Sequence, residues 1–114
     1  MHLKELLNII DGELVCGDIV SESPIKNACA SDLMSDVLTL KTDSVLLITG
    51  LVNMQTIRTA EMADIKYILF VRNKKPTGDM ISLAEKEGIN IILSTKSMFA
   101  TCGILANAGI KAVY

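Results

Sequence analysis

Apolar and polar positions alternate along this chain in two ways, first at helical spacing and then in short solid blocks. Leu3, Leu6, Leu7 and Ile10 fall on one helical face, and Asp11-Gly12 ends that helix. Glu13 to Cys16 reads as a short extended piece, Asp18 to Pro24 as a polar loop, and Ile25 to Ala30 as a strand. Ser31-Asp32 is placed to cap a short helical turn reaching Leu38. From Ser44 the pattern becomes regular. Val45 to Ile48, Tyr67 to Val71 and Asn90 to Leu93 are aliphatic blocks of strand length. Each is followed by a helical pattern, over Asn53 to Ala63, Thr77 to Glu87 and Ser97 to Ala108, with Gly88 and Gly109 as stops.

Strands that are apolar throughout belong to parallel sheets covered on both faces. The expected fold is therefore α/β: a small single domain over residues 1–114, with a mostly parallel sheet and helices on both faces. Right-handed crossovers put the loops after Ile48, Val71 and Leu93 at one edge of that sheet.

The helix over Ser97 to Ala108 has no charged residue, and its small residues Ala100, Gly103, Ala106 and Ala108 leave no polar face. A helix apolar all round needs cover all round. Two sources of cover are open, the N-terminal helix and a second copy of the chain. The second is favoured, giving a homodimer with this helix at or near its interface.

Half of the 114 residues are hydrophobic and the mean hydropathy is +0.42. The longest uncharged runs, Ser44 to Ile57 and Ser97 to Ile110, are fourteen residues each. Both fall short of the roughly 18 apolar residues that a membrane span requires. The acids in MHLKELLNIIDGEL do not suit a secretory signal, so a cytoplasmic protein without membrane contact is expected. A net charge of −2, with Arg72, Lys74 and Lys75 as the densest positive stretch, argues against nucleic acid as a partner. Cys16, Cys29 and Cys102 are scattered with no CxxC spacing, and the one histidine is His2, so no metal site is expected and the thiols read as free.

The segment LLITGLVNM, Leu46 to Met54, joins a strand to a helix through Thr49-Gly50. A phosphate-cradling loop would need several glycines, with Lys and Ser or Thr in its kinase version. This one has a single glycine and no lysine, so it reads first as a strand-to-helix corner capped by Asn53. Its position matters more than its motif, because open parallel sheets bind ligands beyond the carboxyl ends of their strands. Those ends carry Thr49, Gly50 and Asn53, then Arg72 and Asn73, then Ser94 and Thr95, a set suited to a small anion. The competing reading makes Asn53, Thr77 and either Thr95 or Ser97 helix caps with no ligand. In SDLMSD, Asp32 and Asp36 stand four apart and offer two carboxylates to Mg²⁺, while Ser31-Asp32 as a simple cap is the favoured alternative. Arg58 reads as surface or interface. With no internal histidine and no paired nucleophile and base, an enzyme is not expected, and no cofactor is implied.

The order ASDLMSDVL, VLLITG, an Asn-initiated helix in NMQTIRTAEMADIKYILFV, then AEKEGINIILST and a closing helix resembles the DRTGG domain. The resemblance runs from LKELLNIIDGEL to the end. Such domains are similar to the N-terminal domain of HPr kinase/phosphorylase and, more distantly, to that of Mur ligases. They occur beside CBS pairs, in some pyrophosphatases and in long phosphotransacetylases. The resemblance implies an α/β accessory module, often dimeric, regulatory rather than catalytic. Kinase activity is not implied, because the kinase's phosphate loop lies in another domain and has no counterpart here. The family's Asp-Arg pair and Thr-Gly-Gly correspond here to Asn53-Met54 and approximately Arg72-Asn73-Lys74. Two functions follow: a homodimeric accessory module serving a larger enzyme or regulatory assembly through a protein partner, or a sensor of a nucleotide or similar small anion. A stand-alone phosphotransferase is the third and weakest.

Overall fold

The computed structural model describes residues 1–20, 23–40 and 43–114. The expected loop from Asp18 to Pro24 thus runs partly outside the described residues. In chain order the elements are α1 (Leu3–Ile10), β1 (Glu13–Cys16), β2 (Asn27–Ala30), α2 (Met34–Val37), β3 (Val45–Thr49), α3 (Met54–Met62), β4 (Tyr67–Phe70), α4 (Gly78–Glu87), β5 (Asn90–Leu93), α5 (Met98–Asn107) and β6 (Lys111–Ala112).

The strands form one sheet in the order β1-β5-β4-β3-β2-β6. All neighbours are parallel except β1, which runs antiparallel along β5 with an irregularity between Leu14 and Cys16. The α/β fold and the mostly parallel sheet are as expected from the apolar blocks. The short strand β6, which no periodicity announced, adds an outer strand beside β2, pairing Asn27 with Lys111 and Ala28 with Ala112.

Because side chains alternate along a strand, every central strand feeds two cores. Val45, Leu47, Ile68, Phe70, Ile91 and Leu93 pack against Met34 and Val37 of α2, Ile57 and Ala60 of α3, and Met80 and Ala84 of α4. Leu46, Ile48, Tyr67, Leu69 and Ile92 point the other way, onto Leu3, Leu6 and Ile10 of α1 and Leu105 of α5. The chain steps one way across the sheet from β2 to β5 with α2, α3 and α4 on one face. From β5 it returns to β6 by α5 on the opposite face, as a constant right-handed crossover requires.

The caps follow the sequence closely. Asn53, Thr77 and Ser97 accept hydrogen bonds from the backbone N–H groups of Thr56, Met80 and Ala100. Gly88 takes the left-handed conformation that ends α4. At the end of α1 that role falls to Asp11 (φ 52°) rather than to Gly12. A side chain at Gly12 would instead crowd Ile10 and the Leu93 carbonyl. Ser31-Asp32 does not cap α2. Leu33 occupies that position without a side-chain bond, and Ser31 Oγ accepts from Leu33 N in a local turn. No helix among the described residues is long and apolar enough to cross a membrane.

Candidate functional site at the carboxyl edge of the sheet

The loops that leave β2, β3, β4 and β5 are tied to one another in series. Asp32, just beyond β2, accepts through Oδ1 from Thr49 Oγ1 and from Gly50 N, both at 2.8 Å. Thr49 Oγ1 in turn accepts from Leu51 N at 3.1 Å, which fixes the corner after β3. Lys74 Nζ, beyond β4, donates to Gly50 O at 3.1 Å. Arg72 N donates to Lys96 O and Asn73 N to Ser94 O, each at 2.8 Å, closing the series onto the loop after β5.

Those last two bonds depend on an unusual backbone. Arg72 (φ 60°) and Asn73 (φ 55°) are consecutive left-handed residues, a conformation most side chains disfavour. The loop holds it because both N–H groups find carbonyl partners across the gap to β5.

The hydrogen bonds from Gly50 N–H and the Thr49 hydroxyl hold the Asp32 carboxyl below the ordinary carboxylate range, with the charges of Lys74 and Arg72 adding to the effect against a partial opposition from burial. Asp32 is thus an ionised anchor between two loops, with its Oδ1 already committed. Among the described residues no cluster of three or more His, Cys, Asp or Glu is placed to hold a metal ion. The thiols of Cys16, Cys29 and Cys102 are all pushed up, first by burial, which disfavours the thiolate a nucleophile needs.

The sequence-derived set therefore divides. Thr49 is fully buried and bonded to Asp32. Asn53 is the α3 cap, its Oδ1 taking Thr56 N at 3.0 Å. Ser94 is fully buried, 3.2 Å from Thr101 Oγ1, and accepts from Lys96 N at 3.1 Å. Arg72, Asn73 and Thr95 are exposed, and their side chains make no hydrogen bond to the described residues. They stand together because the loops after β4 and β5 are laced by backbone bonds. Lys74, which composition at the strand ends does not single out, is brought to the site by its bond to Gly50. Its signal is a lysine within a few residues of a strand end.

Among the described residues, three of the concavities lie elsewhere. The first, about 280 Å³, lies between α5 and the β2–β6 end of the sheet and is lined by Ala28, Ala30, Cys102, Leu105, Ala106 and Tyr114 among others. The second is at the amino ends of β2 and β6, beside Met1 and Lys111. The third is beside Cys16, Gly17 and Asn90.

A three-layer α/β domain whose connections diverge at one point has its ligand crevice defined by topology. Here β4 leads to α4 on one face and β5 to α5 on the other, so the divergence falls between Arg72-Asn73 and Ser94-Thr95. No protein-family profile matches the sequence, and no curated relative matches it. The fold is similar to that of the CBS and DRTGG domains of the regulatory region of Clostridium perfringens pyrophosphatase, solved in complex with its activator diadenosine tetraphosphate. The TM-score is 0.80 at 12% identity, over 96% of this chain and 47% of that one. This chain thus spans about half the length of that regulatory region. The resemblance to a DRTGG-like domain, first read from the order of elements, holds at the level of the fold.

Proposed function

We propose that this chain is a regulatory module without catalytic activity of its own, acting in the cytoplasm, which senses a nucleotide or similar small anion at the carboxyl edge of its sheet. The observation that carries the reading is the fold shared with a regulatory region that binds a dinucleotide activator. The free side chains at the point where the crossovers diverge add to it. Arg72 offers a guanidinium fork for a phosphate, and Asn73 and Thr95 offer an amide and a hydroxyl. Lys74 and Lys75 add positive charge. Asp32 repels anions from the β2–β3 side, so phosphates would favour the gap between β4 and β5. In this reading Ser31, Asp32, Thr49, Gly50, Asn53 and Ser94 shape the edge and leave the contacts to their neighbours.

The test is a thermal-shift series with diadenosine tetraphosphate, ATP, GTP, acetyl-CoA and inorganic phosphate. A ligand at a hundred times its dissociation constant stabilises the fold by about 2.7 kcal/mol. The shift should vanish in Arg72→Ala. No shift with any of these compounds sinks the sensor reading.

A second reading, a homodimeric accessory module that serves a larger assembly, is favoured by α5. Of its ten residues only Thr101 and Leu105 are buried, and Phe99 at its start is 90% exposed. The N-terminal helix covers one side of α5, through the core that Leu3, Leu6 and Ile10 share with Leu105, and the outward side stays exposed. Sedimentation over a range of concentrations tests this reading independently of any ligand.

A further inference from the structure

We infer that two copies of the chain pair antiparallel through α5, each placing Phe99 in the other's cleft between α5 and the β2–β6 end of the sheet. The inference rests on the dimeric reading above and gives it a geometry.

Thr101 and Leu105 face the core, so the opposite side of α5 is centred on Gly103, with Phe99, Ala106 and Asn107 around it. Gly103 is the first clue. A side chain built at this position would meet nothing within 4 Å, so the chain's own packing does not require glycine there. Glycine in mid-helix is also less stable than alanine. What glycine does permit is the close approach of another backbone.

Phe99 and the cleft supply the second clue. Phe99, Cys102 and Ala106 follow one another at three- and four-residue steps and form one stripe along the helix. Cys102 and Ala106 border the cleft, so Phe99 stands on the cleft side of α5. Phe99 lies about 6 Å before Gly103 and Ala106 about 4.5 Å after it, at 1.5 Å per residue. In an antiparallel pair crossing at Gly103, Phe99 therefore projects over the partner's Ala106 and the mouth of the partner's cleft. At about 280 Å³ that cleft has room for a phenyl ring, since about 150 Å³ accommodates benzene.

Charge supplies the third. A twofold interface sets near-axis residues against themselves, so a charged strip there would repel its own copy. No charged residue occurs between Lys96 and Lys111, which leaves α5 matched to itself.

Because the chain has no tryptophan, Phe99→Trp is a clean reporter. Sedimentation of the full chain should show a concentration-dependent dimer. Phe99→Ala and Gly103→Leu should each weaken it at least tenfold, with circular dichroism and melting of the diluted proteins showing that the fold persists. In Phe99→Trp the emission should shift to the blue as the dimer forms. A wild type monomeric at every concentration removes the dimeric reading and this geometry together. A dimer that both substitutions leave intact, or a Phe99→Trp dimer that keeps solvent-exposed emission, overturns this geometry alone and leaves the dimeric reading standing.

Discussion

Asp32 and Gly50 lie on different loops, yet the Gly50 N–H donates to Asp32 Oδ1 at 2.8 Å, joining the ends of β2 and β3. The Thr49 hydroxyl reaches the same oxygen, so one exposed carboxylate fixes the corner at which the central parallel strand turns into α3. Asp32→Ala should cost about 1 kcal/mol at neutral pH, the value of hydrogen bonds to a charged acceptor discounted for solvent. The folded carboxyl titrates below its unfolded value, so this stability is present above the ordinary carboxylate range and lost as pH falls through the depressed folded value. Denaturant titrations of wild type and variant should therefore differ at pH 7, begin to approach each other only as the pH falls below about 4, and converge once the folded carboxyl is protonated. A constant difference down to the lowest accessible pH would show that the charge is not what anchors the corner.

Asn53→Ala separates capping from binding. With its Oδ1 bonded to Thr56 N, the loss should be about 1 kcal/mol in ligand-free protein, a fall in Tm of about 4 °C. Arg72→Ala removes no side-chain hydrogen bond among the described residues and should leave the ligand-free Tm nearly unchanged. The reverse ranking would mean that the two residues have been assigned the wrong roles.

Ser94 and Thr101 form a buried hydroxyl pair between the end of β5 and the middle of α5. Ser94→Ala strands the Thr101 hydroxyl and also frees Lys96 N, a cost of about 1–3 kcal/mol. Adding Thr101→Val should recover part of that loss, and a double-mutant cycle with zero coupling would refute the pairing.

Gly17 has φ +120° and sits against the side chain of Asn90, whose Oδ1 accepts from Asp18 N at 3.0 Å. A Cβ there would collide with that amide. Gly17→Ala should cost about 2 kcal/mol or more, from strain at positive φ and displacement of Asn90. Equilibrium unfolding would reveal it, and a neutral result would mean that the turn after β1 repacks freely.

What the sequence made legible was local. Asn53, Thr77 and Ser97 cap their helices because a short polar side chain before an apolar helical pattern has its N–H target two or three residues away. Solid aliphatic blocks at β3, β4 and β5 marked a sheet buried on both faces. Contacts set by strand order were hidden. Asp32 resembles a cap in sequence because its real partners, Thr49 and Gly50, become neighbours only once β2 lies beside β3. β6 is two residues long, too short for any period. Charge-free α5 promised cover on all sides, and the fold gives it cover on the inner face only. Arg72 and Asn73 stand out by composition, while their left-handed backbone answers to carbonyls supplied from the loop after β5.

The pairing of Ala28 with Ala112 has a temporal consequence. During synthesis β2 has β3 beside it early, but its other flank waits until residues 98–112 have left the ribosome and α5 has crossed the sheet. Contacts so distant in sequence also close slowly in refolding. Until then the β2 flank is an unpaired strand edge, open to mispairing with a neighbour.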